Sequence, residues 1–204
     1  MKLDKDSDYF LELQTKTGWG NTLVSFAEWC APQAGWSSLD VGCGPGLFPA
    51  ILAEMGCHAA GIDLDVQMYK PIPIHEMVVV GDVFNPPFKH QSFNLITAVN
   101  VLFLLKEPVK ALRIISQWLK PGGKLAMLNP SEMIDEQAAR NFANERGLTG
   151  LARETLINWA KRATSNQRWT ETETDMLYQQ AGLKFMGTIS KVGPGFARFS
   201  WGTS

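Results

Sequence analysis

The sequence predicts an α/β fold on a mostly parallel sheet. Three observations point to it: short apolar strands alternate with helical stretches, a glycine-rich turn joins one strand to the helix after it, and strand-like segments end on acidic residues. The unit 38–65 states this most plainly. Leu39 and Val41 suit a short buried strand, and Gly42, Gly44 and Gly46 follow at every second position, where a side chain would hold a ligand off the backbone. Leu47, Ile51 and Leu52 then recur at helical spacing, with Pro49 tolerated in the first turn and Gly56 as a stop. Residues 58–62 supply a second strand and Asp63 stands at its end. A βαβ unit of this kind puts the acid beside the crevice at the carboxyl ends of parallel strands, where open α/β sheets bind ligands.

The flanking elements follow in order. Residues 9–19 and 21–30 read as two helical pieces separated by Gly18 and Gly20, with Leu23, Phe26 and Ala27 forming an apolar stripe. After Asp63 the next helix is predicted to be short, because Pro71 and Pro73 interrupt it. Residues 77–80 form a continuous apolar strand closed by Gly81-Asp82, and residues 93–99 a fourth strand ending on Asn100. An amphipathic helix is expected over 107–119, stopped by Lys120-Pro121-Gly122-Gly123, which feeds a strand over 124–128. Residues 130–168 look helical in two pieces divided near Gly147 and Gly150. Thr170 and Glu173 make a capping box for a helix ended by Gly182. Strands over 183–190 and 196–201, joined around Gly193-Pro194-Gly195, read as a closing hairpin.

Bulk properties narrow the function. The 204 residues fit one domain. Nineteen basic and twenty acidic residues nearly cancel, which leaves no nucleic-acid footprint. No apolar run is long enough to cross a bilayer, and the N-terminus lacks a signal-peptide pattern. Cys30, Cys43 and Cys57 are an odd, widely spaced set that indicates neither a disulfide framework nor a metal site. A cytoplasmic setting is the simplest expectation.

The glycine spacing separates ligand classes. A dinucleotide fingerprint is G-x-G-x-x-G, whereas here the third glycine comes one residue early and Leu47 stands in its place. Asp40 adds a carboxylate just before the loop, awkward beside a diphosphate and useful beside an ammonium group. Asp-x-Gly-x-Gly-x-Gly, the acidic end of strand two, Gly81-Asp82 and L-K-P-G-G-K-L together resemble the class I S-adenosylmethionine-dependent methyltransferases, over about residues 38–129. That resemblance implies a Rossmann-like three-layer sandwich: a mostly parallel seven-stranded sheet with an antiparallel C-terminal strand and helices on both faces. It divides the chain into an N-terminal helical cover (1–36), a cofactor-binding core (37–129), a helical lid or substrate segment (130–169) and a C-terminal helix with a β-hairpin (170–204).

The resemblance also implies site roles. Asp40 would hold the methionine ammonium of S-adenosylmethionine directly or through water, Asp63 the ribose hydroxyls and Asp82 the adenine amino group. Gly42, Gly44, Gly46, Leu64, Val83 and Asn100 would complete the cofactor wall. Trp19, Asn129, Glu132, Trp159 and Trp169 are the candidates for touching a small-molecule acceptor, and Tyr9 and Phe10 lie in the segment expected over the cleft. No catalytic residue is named: His58 and His90 fall at the wrong edge of the sheet and His75 precedes strand three, so Glu132, Asp135 and Glu136 are the nearest candidate bases. Asn85-Pro86-Pro87-Phe88 resembles a motif of enzymes acting on planar nitrogens, but it precedes strand four instead of following it and reads as a loop. Asn94 stands where relatives carry an acid. Two other functions share these features. A nicotinamide-dependent oxidoreductase would use the same βαβ unit, and a non-catalytic module binding S-adenosylmethionine or a partner protein would lack an acceptor pocket. Lys161 and Arg162, with Arg153 and Arg168, are the one local basic group that could touch nucleic acid.

Overall fold

The computed structural model describes residues 4–68 and 78–204, and in these the alternation becomes one seven-stranded sheet. The strands are β1 (Ser37–Val41), β2 (His58–Asp63), β3 (Val78–Val80), β4 (Phe93–Val99), β5 (Leu119–Pro130), β6 (Lys184–Lys191) and β7 (Ala197–Thr203). Their order is β3-β2-β1-β4-β5-β7-β6. Strands β1 to β5 pair in parallel, and β7 runs antiparallel to both β5 and β6. The chain steps outward from β1 to β2 and β3, then crosses back to β4 on the other side of β1. The carboxyl ends of β1 and β4 therefore flank a topological switch point, the place where such sheets hold ligands.

Side chains alternate between the two faces of the strands with period two. Leu39, Val41, Ile62, Ile96, Ala98, Leu125 and Met127 pack on one side with Leu112 and Ile115 of α4 (Pro108–Ser116) and Leu177 and Tyr178 of α7 (Glu171–Gln180). Leu95, Ala126, Leu128 and Phe199 pack on the other with Leu23 and Phe26 of α2 (Trp19–Cys30) and Phe48 and Leu52 of α3 (Leu47–Glu54). A third cluster, with Ala139, Ala143, Leu156, Ala160 and Phe196, joins α5 (Glu136–Glu145) to α6 (Gly150–Ser165). The remaining helix, α1 (Asp4–Lys16), lies over α2. The capping box at Thr170 and Glu173 is present in full.

Several boundaries differ from the sequence reading, each for a physical reason. Gly20 does not break a helix. It sits in the first turn of α2, where a Cβ would run into the Gln14 carbonyl oxygen, so it permits close approach of α1. Helix α4 ends at Ser116 because the Gln117 and Trp118 carbonyls accept from Gln91, Ser92 and Phe93 at the entry to β4. The Lys-Pro-Gly-Gly segment lies inside β5, at a register shift opposite Phe93 and Leu95, and does not precede the strand. Asn94 pins β1 to β5, its Oδ1 accepting from the Ser37 amide (3.1 Å) and Lys120 Nζ (2.9 Å). Phe88 of the Asn-Pro-Pro-Phe segment packs edge-on against Phe93 and Trp118, a core role. The expectations for Pro71, Pro73, His75 and Met77 fall outside the described residues.

Gly61 on β2 backs the glycine turn. A Cβ there would stand 2.6 Å from Cys43 Sγ and 2.8 Å from Cys43 Cβ. Gly61→Ala is therefore expected to overpack the sheet beneath the turn and cost about 1–3 kcal/mol. Urea unfolding measures this directly, and an unchanged midpoint at unchanged slope would show that the turn yields freely.

Candidate active site

The turn after β1 is shaped by contacts on both sides. Gly42 adopts φ +70°, and a Cβ on it would lie 2.7 Å from Val101 Cγ2, so only glycine fits between β1 and the segment after β4. The Gly42 and Cys43 amides both donate to the Ile62 carbonyl, at 2.8 and 3.1 Å. Asp63 then ties the turn to the end of β2. Its Oδ2 accepts from the Gly44 amide at 2.8 Å and its Oδ1 from the Asp65 amide at 3.0 Å. One edge further out, the Gly81 amide donates to the Asp63 carbonyl (2.9 Å), and Asp82 Oδ1 accepts from the Phe84 amide (2.9 Å). Three strand ends are thereby fixed relative to one another by the Asp63 carboxylate and by the Ile62 and Asp63 carbonyls, while the Asp63 and Asp82 carboxylates keep capacity for further donors.

Asn100 closes the opposite side. It has φ +55°, its amide donates to the Leu128 carbonyl (2.8 Å), and its Oδ1 accepts from Trp159 Nε1 (3.1 Å). Trp159 in turn packs on Trp19, with ring centroids 5.5 Å apart. A chain of contacts thus runs from the end of β4 through α6 to α2.

These elements surround a cavity of about 1130 Å³. Of the residues expected at a site, Gly42, Gly44, Asp63, Leu64, Asp82, Val83, Asn100, Trp19 and Trp159 line it, as do Tyr9 and Phe10. Asp40, Gly46, Asn129, Glu132 and Trp169 do not. Asp40 is buried behind the turn and accepts from Thr97 Oγ1 at 2.7 Å. Gly46 caps α3. Asn129 is buried on β5, where Arg198 of β7 is its strand neighbour. Glu132 holds the Arg198 guanidinium at 2.8 and 3.0 Å, and Trp169 is a core residue bridged to Ser131. The candidate bases are also occupied elsewhere: Asp135 caps α5 through the Ala138 amide, and Glu136 pairs with Arg140. Among the described residues the only acids on the wall are Asp63, Asp65 and Asp82, all at strand ends, and no histidine lies on it.

The wall also includes residues that sequence reasoning passed over. Ala152, Thr155 and Leu156 share one face of α6 with Trp159 and Arg162, which the sequence had already singled out, and the three- and four-residue spacing was a readable signal. Val101, Phe103, Phe142, Arg146, Lys191 and Val192 arrive from loops and element ends and had no such signal.

Burial pushes the Asp40 carboxyl up to about 8, against the Thr97 hydrogen bond and with a smaller contribution from the Asp63 charge. The folded chain then keeps a proton that the unfolded chain releases near pH 3.8, so stability falls as pH rises between about 4 and 8. Asp40→Asn keeps an acceptor for Thr97 and removes the ionisation. Its unfolding free energy is expected to vary less with pH across that window than that of the parent protein, as measured by denaturant titration without ligand. An identical slope in both proteins would contradict the assignment.

Residues 39–127 match a family model described as a methyltransferase domain. A ubiquinone biosynthesis O-methyltransferase of Xanthomonas oryzae is 31% identical over 103 residues, which cover 45% of this chain and 42% of the relative. The matches span about two fifths of the length of such curated relatives. Among solved structures, a putative methyltransferase in complex with the Trm112 methyltransferase activator of Haloferax volcanii has a TM-score of 0.72 at 16% identity, covering 99% of this chain and 97% of that one. A possible histamine N-methyltransferase of Thermotoga maritima has a TM-score of 0.67 at 19% identity, covering 99% and 95%. At these identities the structural likeness speaks for the fold, and the family match falls on the segment that carries the glycine turn and the acidic strand ends. Residues 39–127 thus match the methyltransferase domain family, and the chain shares the fold of solved S-adenosylmethionine-dependent methyltransferases.

Proposed function

We propose that this protein transfers the methyl group of S-adenosylmethionine to a small-molecule acceptor held under α1, α2 and α6. The observation that carries the reading is the cavity itself. At about 1130 Å³ it exceeds the roughly 300–1,000 Å³ typical of a pocket for one small ligand. It also runs without interruption from the acidic strand ends to an aromatic wall.

The residues present fit the cofactor. Gly42 leaves no room for a Cβ, which keeps the turn backbone at the cavity surface. Asp63 and Asp82 each retain acceptor capacity for the hydroxyl and amino donors of an adenosyl group. Asp40 acts from behind the turn: it makes no direct contact with the cavity, but its negative charge is favoured by a bound cation. When bound, the sulfonium supplies an already activated methyl group. The chain's part is then to hold the acceptor in line and to exclude water, and positioning of this kind reaches effective molarities on the order of 10⁵ M or more. Trp19, Trp159, Phe10 and Leu13 provide the dry wall. An activated methyl group makes a dedicated base optional, and a thiol, amine or carboxylate acceptor would be nucleophilic without one.

The basic residues support a small acceptor over nucleic acid, because they do not act as one patch. Arg162 turns to the cavity with its guanidinium over Phe10, Lys161 is exposed off the wall, Arg153 donates to Asn144, and Arg168 donates to the Ile134 carbonyl.

Calorimetry is expected to show S-adenosylhomocysteine binding and no NADH binding; tight NADH binding without a response to the adenosyl ligand would overturn the cofactor. Asp63→Ala should weaken S-adenosylhomocysteine more than about tenfold, the loss expected for hydrogen bonds to a charged group. Unchanged affinity would move the site. Retention of tRNA or duplex DNA at physiological ionic strength should be negligible. Micromolar binding that falls steeply with salt would instead place a nucleic acid in the acceptor position.

A further inference from the structure

We infer that the acceptor carries a negatively charged group, a carboxylate or a phosphate, recognised by Arg146 and Lys191 with Arg162 across the cavity, while its apolar body lies against the aromatic wall. This deepens the methyl-transfer reading above and rests on it.

Charge is segregated along the cavity. All the carboxylates on its described wall are at the strand ends, and all the cations, Arg146, Arg162 and Lys191, are on the side of α1, α5 and α6. None of the three cations forms an ion pair with a described residue, although Arg140 and Arg198 nearby both do. Arg146 and Arg162 are held against aromatic rings instead. The Arg146 guanidinium lies 5.5 Å from the Phe142 ring centroid and that of Arg162 lies 5.7 Å from the Phe10 centroid, which leaves the polar edges of both groups for a ligand.

Lys191 is brought there by a strained turn. Val192 has φ +62°, a conformation that a β-branched residue adopts only when its surroundings impose it. Its carbonyl accepts from both the Gly195 amide (3.1 Å) and the Phe196 amide (2.9 Å), and a Cβ on Gly193 would stand 2.9 Å from the Phe142 ring. The β6–β7 turn is thereby seated on α5, so that Lys191 and Arg146 belong to one stretch of wall. Val192 and Gly193 both line the cavity, so the turn is part of its wall.

The test uses 2-naphthoate, 2-naphthyl phosphate and the neutral 2-naphthamide, titrated by calorimetry with and without saturating S-adenosylhomocysteine. At least one anion should bind more than about tenfold more tightly than the amide, as expected for charge-assisted hydrogen bonds, and the two anions separate carboxylate from phosphate recognition. In the Arg146→Gln/Lys191→Gln double variant that preference should fall to near unity while S-adenosylhomocysteine affinity is kept. Lys161→Gln, which alters a cation off the wall, should leave the preference intact. Equal binding of acid and amide, no binding of either anion, or a preference that survives the double variant would overturn the inference. Loss of S-adenosylhomocysteine binding in the parent protein would instead overturn the cofactor reading, which the anion titrations without it do not touch.

Discussion

The Asp63 carboxylate is the constraint on which the site depends. It sits at the end of β2 and accepts from the Gly44 amide of the neighbouring turn and from the Asp65 amide of its own. Hydrogen bonds to a charged acceptor are stronger than neutral ones, each contributing about 1.5–3 kcal/mol when well formed. A glycine-rich turn has high conformational entropy to lose, and two such bonds, with the Ile62 carbonyl accepting from Gly42 and Cys43, offset it. The backbone is thereby held at the cavity surface before any ligand arrives. In the proposed function the same group has two tasks, ordering the turn and presenting spare lone pairs to a ligand. Its removal therefore disturbs binding through both.

The second structural requirement is that the acceptor wall keep its position relative to the cofactor wall. The hydrogen bond from Trp159 to Asn100 and the packing of Trp159 on Trp19 provide the link at the cavity. At its back, the bidentate Glu132–Arg198 pair and the Ser131–Trp169 bridge fasten the start of the lid segment to β7. Arg198 is buried and Glu132 partly exposed, so the pair serves mainly to leave no unpaired charge inside. A helical segment anchored at both ends can shield the reacting atoms from water without having to order itself at each turnover.

Features encoded within a few residues were legible in the sequence. The strand-turn-helix unit, the acids ending β2 and β3, the capping box at Thr170 and the hairpin near Gly193 all follow from local spacing. The single antiparallel strand beside β5 followed from the family resemblance. The misplacements come from partners distant in the chain. Asn129 lies at the end of β5 and Glu132 and Trp169 beyond it, but antiparallel pairing with β7 and the Arg198 side chain direct them into the core or against β7. The Lys-Pro-Gly-Gly segment was read as a turn before a strand because the pairing of Leu119 with Phe93 cannot be seen from composition. Lys191 and Arg146 gave no signal for the same reason: only the seating of Gly193 on Phe142 brings them together.

The central claim is that the carboxyl ends of the strands bind the adenosyl cofactor while the helices above form a separate acceptor wall. Backbone amide resonances followed by NMR during titration with S-adenosylhomocysteine test it most directly. The largest shifts are expected at Gly44, Leu64, Val83 and Asn100, with α4 and α7, none of whose residues lines the cavity, nearly unchanged. Saturable binding that shifts residues of α7 or β6 and leaves those four amides unmoved would contradict it.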